Sequence, residues 1–118
     1  MYEVIYTEQF RNDIYFYVKK RHFHNIENDI KPIIQELENG NLLGNEIPNL
    51  KINAKGHAYK VRAANTDTKG GKSNGYRLIY YAVKDDKEIY LLTIYYKKDD
   101  IRIPTNKELI DLVAEYCL

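Results

Sequence analysis

Apolar and polar residues alternate along this chain with two different periods, and the switches between them mark out its elements. Tyr2 to Thr7 alternates with period two and reads as a short strand within the sheet or at its edge. From Glu8 to about Arg21, Phe10, Ile14, Tyr17 and Val18 recur at helical spacing with charged residues between them, and Thr7 stands where an N-cap belongs. A second stripe, Ile26, Ile30, Ile33, Ile34 and Leu37, spans about Asn25 to Asn39 and stops at Gly40, which suits a left-handed cap. Pro32 lies inside it, where the missing amide hydrogen bond is expected to kink or restart the helix.

Asn41 to Asn53, with Leu42, Leu43, Gly44, Ile47 and Pro48, reads as a connector tucking a few apolar residues under the sheet. Period two returns at Tyr59 and again at Tyr76, on either side of the Gly- and Lys-rich segment Asn65 to Gly75, so Tyr59 to Tyr81 reads as a hairpin. Alternation sets Lys60 and Arg62 against Tyr59, Val61 and Ala63, and sets Arg77, Ile79 and Tyr81 against Tyr76, Leu78 and Tyr80. One face is then core and the other carries the cations. Asp85-Asp86-Lys87 reads as a tight turn into Glu88 to Tyr96, whose nearly continuous apolar run predicts a central strand buried on most of both faces. Thr105-Asn106-Lys107-Glu108 is a capping box, and Leu109, Leu112, Val113 and Tyr116 give the stripe of a last helix. The order strand, two helices, three strands, helix predicts one α+β domain over residues 1–118: a twisted, mainly antiparallel sheet with the first two helices on one face. Val61, Leu78, Leu92 and Ile94 should be buried, and Arg62 and Arg77 should face solvent.

The overall charge of +1 conceals a segregation. From Lys51 to Arg77 seven basic side chains (Lys51, Lys55, Lys60, Arg62, Lys69, Lys72, Arg77) stand against Asp67, a net of +6. From Asn25 to Leu50 five acidic residues stand against Lys31, a net of −4. A positive strand face favours an anionic partner such as nucleic acid or an acidic peptide. The chain lacks a long apolar run and a basic-then-apolar leader, so the cytoplasm is the expected compartment and no membrane association is expected.

Other motifs carry less. Gly71-Lys72-Ser73 resembles the end of a phosphate-binding loop, but Thr66 stands where the first glycine belongs. His22 and His24 have no Cys or third His placed to complete a metal site, and His57 has no placed partner for general-base work. Cys117 has no disulfide partner and reads as structural or incidental rather than as a nucleophile. Of the twelve tyrosines, Tyr81 and Tyr95 fall on the basic face and are the candidates for stacking on a base.

Lys60-Val61-Arg62, the Gly- and Lys-rich loop, Gly75-Tyr76-Arg77-Leu78-Ile79-Tyr80-Tyr81, and Leu91 to Tyr95 followed by Lys97-Lys98 resemble the toxins of the RelE/ParE superfamily, close to the HigB-like branch. The resemblance covers nearly the whole chain and implies a RelE-like fold. It further implies a small cytoplasmic toxin of a type II toxin–antitoxin system that cuts messenger RNA on the ribosome without metal or other cofactor. Its partners would be the ribosome, mRNA and a cognate antitoxin, a HigA-like helix-turn-helix protein through which alone it would meet operator DNA. Carried over by position, Lys60, Arg62, Arg77 and Lys98 are the catalytic candidates, and Tyr81, Tyr95, Lys69, Lys72 and Lys97 the substrate-binding ones. Where RelE toxins place a catalytic tyrosine beyond the last strand, an ungapped reading puts Pro104.

Cleavage by the RNA's own 2′-hydroxyl needs a base, stabilisation of the phosphorane, and a proton for the leaving oxygen. Arg62 and Arg77 would grip the phosphate, Lys60 among like charges would act as base, and Lys98 would supply a proton or charge. On this reading Arg77→Ala abolishes toxicity and leaves the fold intact. Two alternatives stand beside it: a ParE-like inhibitor of DNA gyrase, and an inactive relative that only binds an antitoxin.

Overall fold

The computed structural model describes residues 1–48, 50 and 55–118. Lys51 and the end of the predicted connector lie outside the described residues. Strand β1 (Glu3–Tyr6) gives way directly to helix α1 (Glu8–Lys19) because Thr7 serves both. Its hydroxyl accepts from the Phe10 amide, capping the helix, and donates to the Leu91 carbonyl at 2.6 Å, fixing the helix start to the sheet. Helix α2 (Ile26–Glu38) runs through Pro32 without interruption, so the proline does not split it as its position suggested. Gly40 follows at φ +85°, and a β-carbon there would press to 3.2 Å from the Tyr2 ring.

Strands β2 (Asn45–Glu46), β3 (His57–Ala63), β4 (Tyr76–Val83) and β5 (Glu88–Tyr96) complete a mixed five-stranded sheet in the order β1-β5-β4-β3-β2, and helix α3 (Asn106–Cys117) ends the chain. The fold is α+β, as predicted. The two-residue β2 was not anticipated, because a strand that short carries no periodicity to detect. β1 is an edge strand, parallel to β5, and the other pairings are antiparallel. β5 is interior, with β4 in the middle. Between Leu91 and Thr93, Leu92 is an extra residue without a partner on β4, a bulge that tightens the twist. Among the described residues no helix is long and apolar enough to cross a membrane.

Both sheet faces bear core. α1 and α2 cover the face carrying Val61, Tyr76, Leu78, Tyr80 and Ile94, while α3 lays Leu109 and Val113 over Ala58, Ile79, Tyr81, Leu92 and Tyr95 on the other. Val61, Leu78, Leu92 and Ile94 are all buried, as the pattern required.

Past the bulge, β5 runs beyond the end of β1 and would expose amides along its edge. α1 supplies side chains instead: Asp13 accepts from Ile94 N at 3.2 Å, and the Tyr17 hydroxyl accepts from Tyr96 N at 2.6 Å. The spacings match, because the four helix residues from Asp13 to Tyr17 advance roughly 6 Å and two strand residues roughly 7 Å. The same stripe ties down the turn after β5: Arg102 reaches Asp13 at 2.9 Å, and Arg21 pairs with Asp99. Burial holds Asp13 above the ordinary carboxylate range even though Thr93, Ile94 and Arg102 all favour its ionised form.

Candidate functional site

The register of the central hairpin decides the geometry. Ile47 N donates to the Ala58 carbonyl at 2.9 Å, so at Ala58 the β3 backbone turns outward, towards β2. Alternation turns Lys60 and Arg62 the same way. Arg62, opposite Arg77, therefore belongs to a non-hydrogen-bonded pair, the type in which facing Cα atoms approach to about 4.5 Å. Like charges placed directly opposite destabilise a sheet, and here both are arginines.

The two differ in setting. Arg62 is exposed, whereas Arg77 is only 8% exposed. Its guanidinium donates to the carbonyls of Lys72 and Tyr76, each at 3.1 Å, and of Ser73 at 3.0 Å. Burial and the charge of Arg62 both draw its pKa down. The expected solvent-facing Arg77 is thus corrected: alternation gave its side of the sheet, but the loop leading into β4 folds over it.

That loop is held at two points. Arg77 fixes one half. In the other, Thr66 donates to Asp29 through its amide at 3.0 Å and its hydroxyl at 2.9 Å, and Asp67 accepts from Asn25 N at 2.9 Å. These contacts pin Thr66–Thr68 to the start of α2 and carry Lys72 to the sheet surface. Gly75 permits the return into β4, since a β-carbon there would lie 2.0 Å from the Ala63 carbonyl.

The result is a cleft of about 590 Å³ where α3 leaves the sheet uncovered. Lys60, Arg62, Lys72 and Arg77 line it together with Gly44, Asn45 and the apolar Ile33, Leu43 and Val61. None of these residues is acidic. Among the described residues, none of the four cations pairs with a carboxylate. A concave site with one sign of charge attracts and concentrates anions.

The remaining sequence candidates fall elsewhere. Lys97 and Lys98 are exposed in the turn after β5, where Lys97 N bonds the Gly75 carbonyl at 2.9 Å, and neither lines the cleft. Lys69 is exposed at φ +59° on the outer part of the loop. Tyr81 and Tyr95 occupy the expected face but are 1% and 5% exposed beneath α3, which leaves no ring face open to a base. They are core, and the stacking assignment is corrected accordingly. Pro104 lies ahead of the α3 cap, beside Asp13 and Arg102 in a separate pocket of about 350 Å³. His57 faces Glu46 at 3.1 Å, outside the cleft lining. Burial and nearby Glu88 push the Cys117 thiol up to about 12.

Sequence reasoning missed Asn45, which reaches the cleft through the β2–β3 pairing, and Leu43, whose carbonyl the Tyr80 hydroxyl holds. It also missed Asp13, although a signal was present: a carboxylate three residues after Phe10 and four before Tyr17 sits on an apolar stripe, where it needs buried partners. No protein-family model matches the chain, and no curated protein matches it in sequence.

Proposed function

We propose that this protein is the toxin of a type II toxin–antitoxin pair, an endoribonuclease that cuts messenger RNA on the ribosome by attack of the RNA's own 2′-hydroxyl. The observation supporting this most directly is the opposed Arg62–Arg77 pair at a cleft lined by four cations and no carboxylate. Such a pair costs stability in the free protein and is relieved by a phosphate lying between the guanidiniums and the lysines. Arg62 and Lys72 grip the scissile phosphate, and Lys60, next on the same strand face as Arg62, takes the 2′-hydroxyl proton and returns it to the departing 5′-oxygen as the cyclic phosphate forms. Arg77 adds charge from below and positions the loop that carries Lys72. Lys98 contributes where the RNA continues past the loop. An antitoxin encoded beside this gene covers the same cations, with association weakened by salt.

The test uses Arg62→Ala, because Arg62 is exposed and, among the described residues, its side chain makes no ion pair. Message ends are mapped in cells expressing the wild type or the variant. The wild type is expected to generate new ends within translated messages, and the variant to lose roughly 100-fold or more in cleavage rate, the usual effect of removing one transition-state donor. Toxicity with DNA damage and no new message ends would refute the reading in favour of gyrase inhibition.

A further inference from the structure

The cleft has a second chemical character besides charge. β2 pairs with β3 only at Asn45–Lys60 and Glu46–Tyr59. Continued by two residues, that register would set Leu43 opposite Arg62 as the next hydrogen-bonded pair. The pair does not form. The Leu43 carbonyl instead accepts from the Tyr80 hydroxyl at 2.6 Å, and Gly44, at φ +88° and packed against the Lys60 carbonyl, turns the chain away. Among the described residues, the outward N–H and C=O of Arg62 therefore have no strand partner. They form an adjacent donor and acceptor in a cleft lined by the cations together with the apolar Ile33, Leu43 and Val61.

Resting on the nuclease reading above, we propose that this unpaired segment of β3 is a nucleobase subsite for single-stranded RNA. Arg62 N–H and C=O read the Watson–Crick edge, the base lies along Ile33 and Leu43, and Asn45 sets the preference among bases. An unpaired base presents a neighbouring donor and acceptor on that edge, and a base-paired one has already used them. The cleft volume falls within the range of small-ligand sites. Asn45 is exposed and lies next to Lys60 across the pairing, so its amide flanks the base while the phosphate sits on Arg62 and Lys72.

The test titrates ¹⁵N-labelled protein with the four nucleoside 5′-monophosphates and with ribose 5-phosphate, which lacks a base. At least one nucleotide should bind tenfold or more tighter than ribose 5-phosphate and shift the Arg62 amide resonance. Asn45→Ala should change the ranking of the four nucleotides at least threefold without altering ribose 5-phosphate binding. Equal binding of ribose 5-phosphate with an unmoved Arg62 amide overturns the proposal. So does an Arg62 amide that responds only to a copurifying protein, which would make the segment a site for strand addition. Message cleavage by a protein that shows no base preference in the titration would overturn the subsite and leave the nuclease standing. Nucleotide discrimination without message cleavage would do the reverse.

Discussion

Replacing Arg77 by alanine should destabilise the fold, although the strand pattern alone puts this residue on the open face. The guanidinium makes three bonds to main-chain carbonyls, two of them in the loop over the cleft. Hydrogen bonds from a charged group contribute about 1.5–3 kcal/mol each. The Lys72 and Ser73 carbonyls can recover water once the side chain is gone, and removing a like charge opposite Arg62 returns a few tenths of a kcal/mol. The net cost is about 3 kcal/mol, equivalent to a fall in Tm of roughly 10 °C for a domain of this size. Urea unfolding of the wild type, Arg77→Ala and Arg62→Ala measures it. Arg62→Ala should stay within about 0.5 kcal/mol of the wild type, as expected of an exposed side chain. Arg77→Lys should recover little, because one ammonium group lacks the planar fork that spans the three carbonyls. Amide exchange should accelerate through residues 65–75 in Arg77→Ala and not in Arg62→Ala. Equal stability of Arg77→Ala and wild type, or equal loss in the two variants, would refute the reasoning. Loss of activity in Arg77→Ala then reports on the loop as well as on the phosphate, which is why Arg62 is the cleaner probe.

Three further outcomes follow from the buried groups. Asp13→Ala leaves the Ile94 amide and Arg102 without their buried partner and should cost about 3–5 kcal/mol in urea unfolding. Because the folded pKa of Asp13 is raised, the native state binds this proton more readily than the unfolded chain. Its contribution therefore favours folding at acid pH, below the unfolded value near 3.9, and is lost as pH rises through the folded pKa. The difference in urea midpoint between the wild type and Asp13→Asn, followed from pH 4 to pH 8, should accordingly shift against the wild type. Cys117, whose thiol burial and Glu88 push up to about 12, should carry far less thiolate at neutral pH than a free cysteine. A disulfide reagent should label it slowly in the native protein and fast in urea, and rapid native labelling would contradict the packing of the end of α3 against the sheet.

The sequence by itself determined the helices, the longer strands and the sidedness of those strands. Thr7, Gly40 and the box at Thr105 and Glu108 mark helix ends through bonds that span at most a few residues, so they are legible without a fold. The alternation of Lys60 and Arg62 with Tyr59, Val61 and Ala63 is equally local, since successive strand side chains must point to opposite faces. Exposure on a given face depends on what else packs there. Tyr81 and Tyr95 became core because α3, beginning at Asn106, returns across their half of the sheet, and Arg77 became a loop anchor because residues 72 and 73 fold over it. The path of α1 along the free edge of β5, and the late start of β2 at Asn45, which among the described residues leaves the outward backbone of Arg62 without a strand partner, were likewise decided in three dimensions. Both rest on contacts between segments far apart in the chain, such as Asp13 with Ile94 and Leu43 with Tyr80, and no sequence period records pairings of that range.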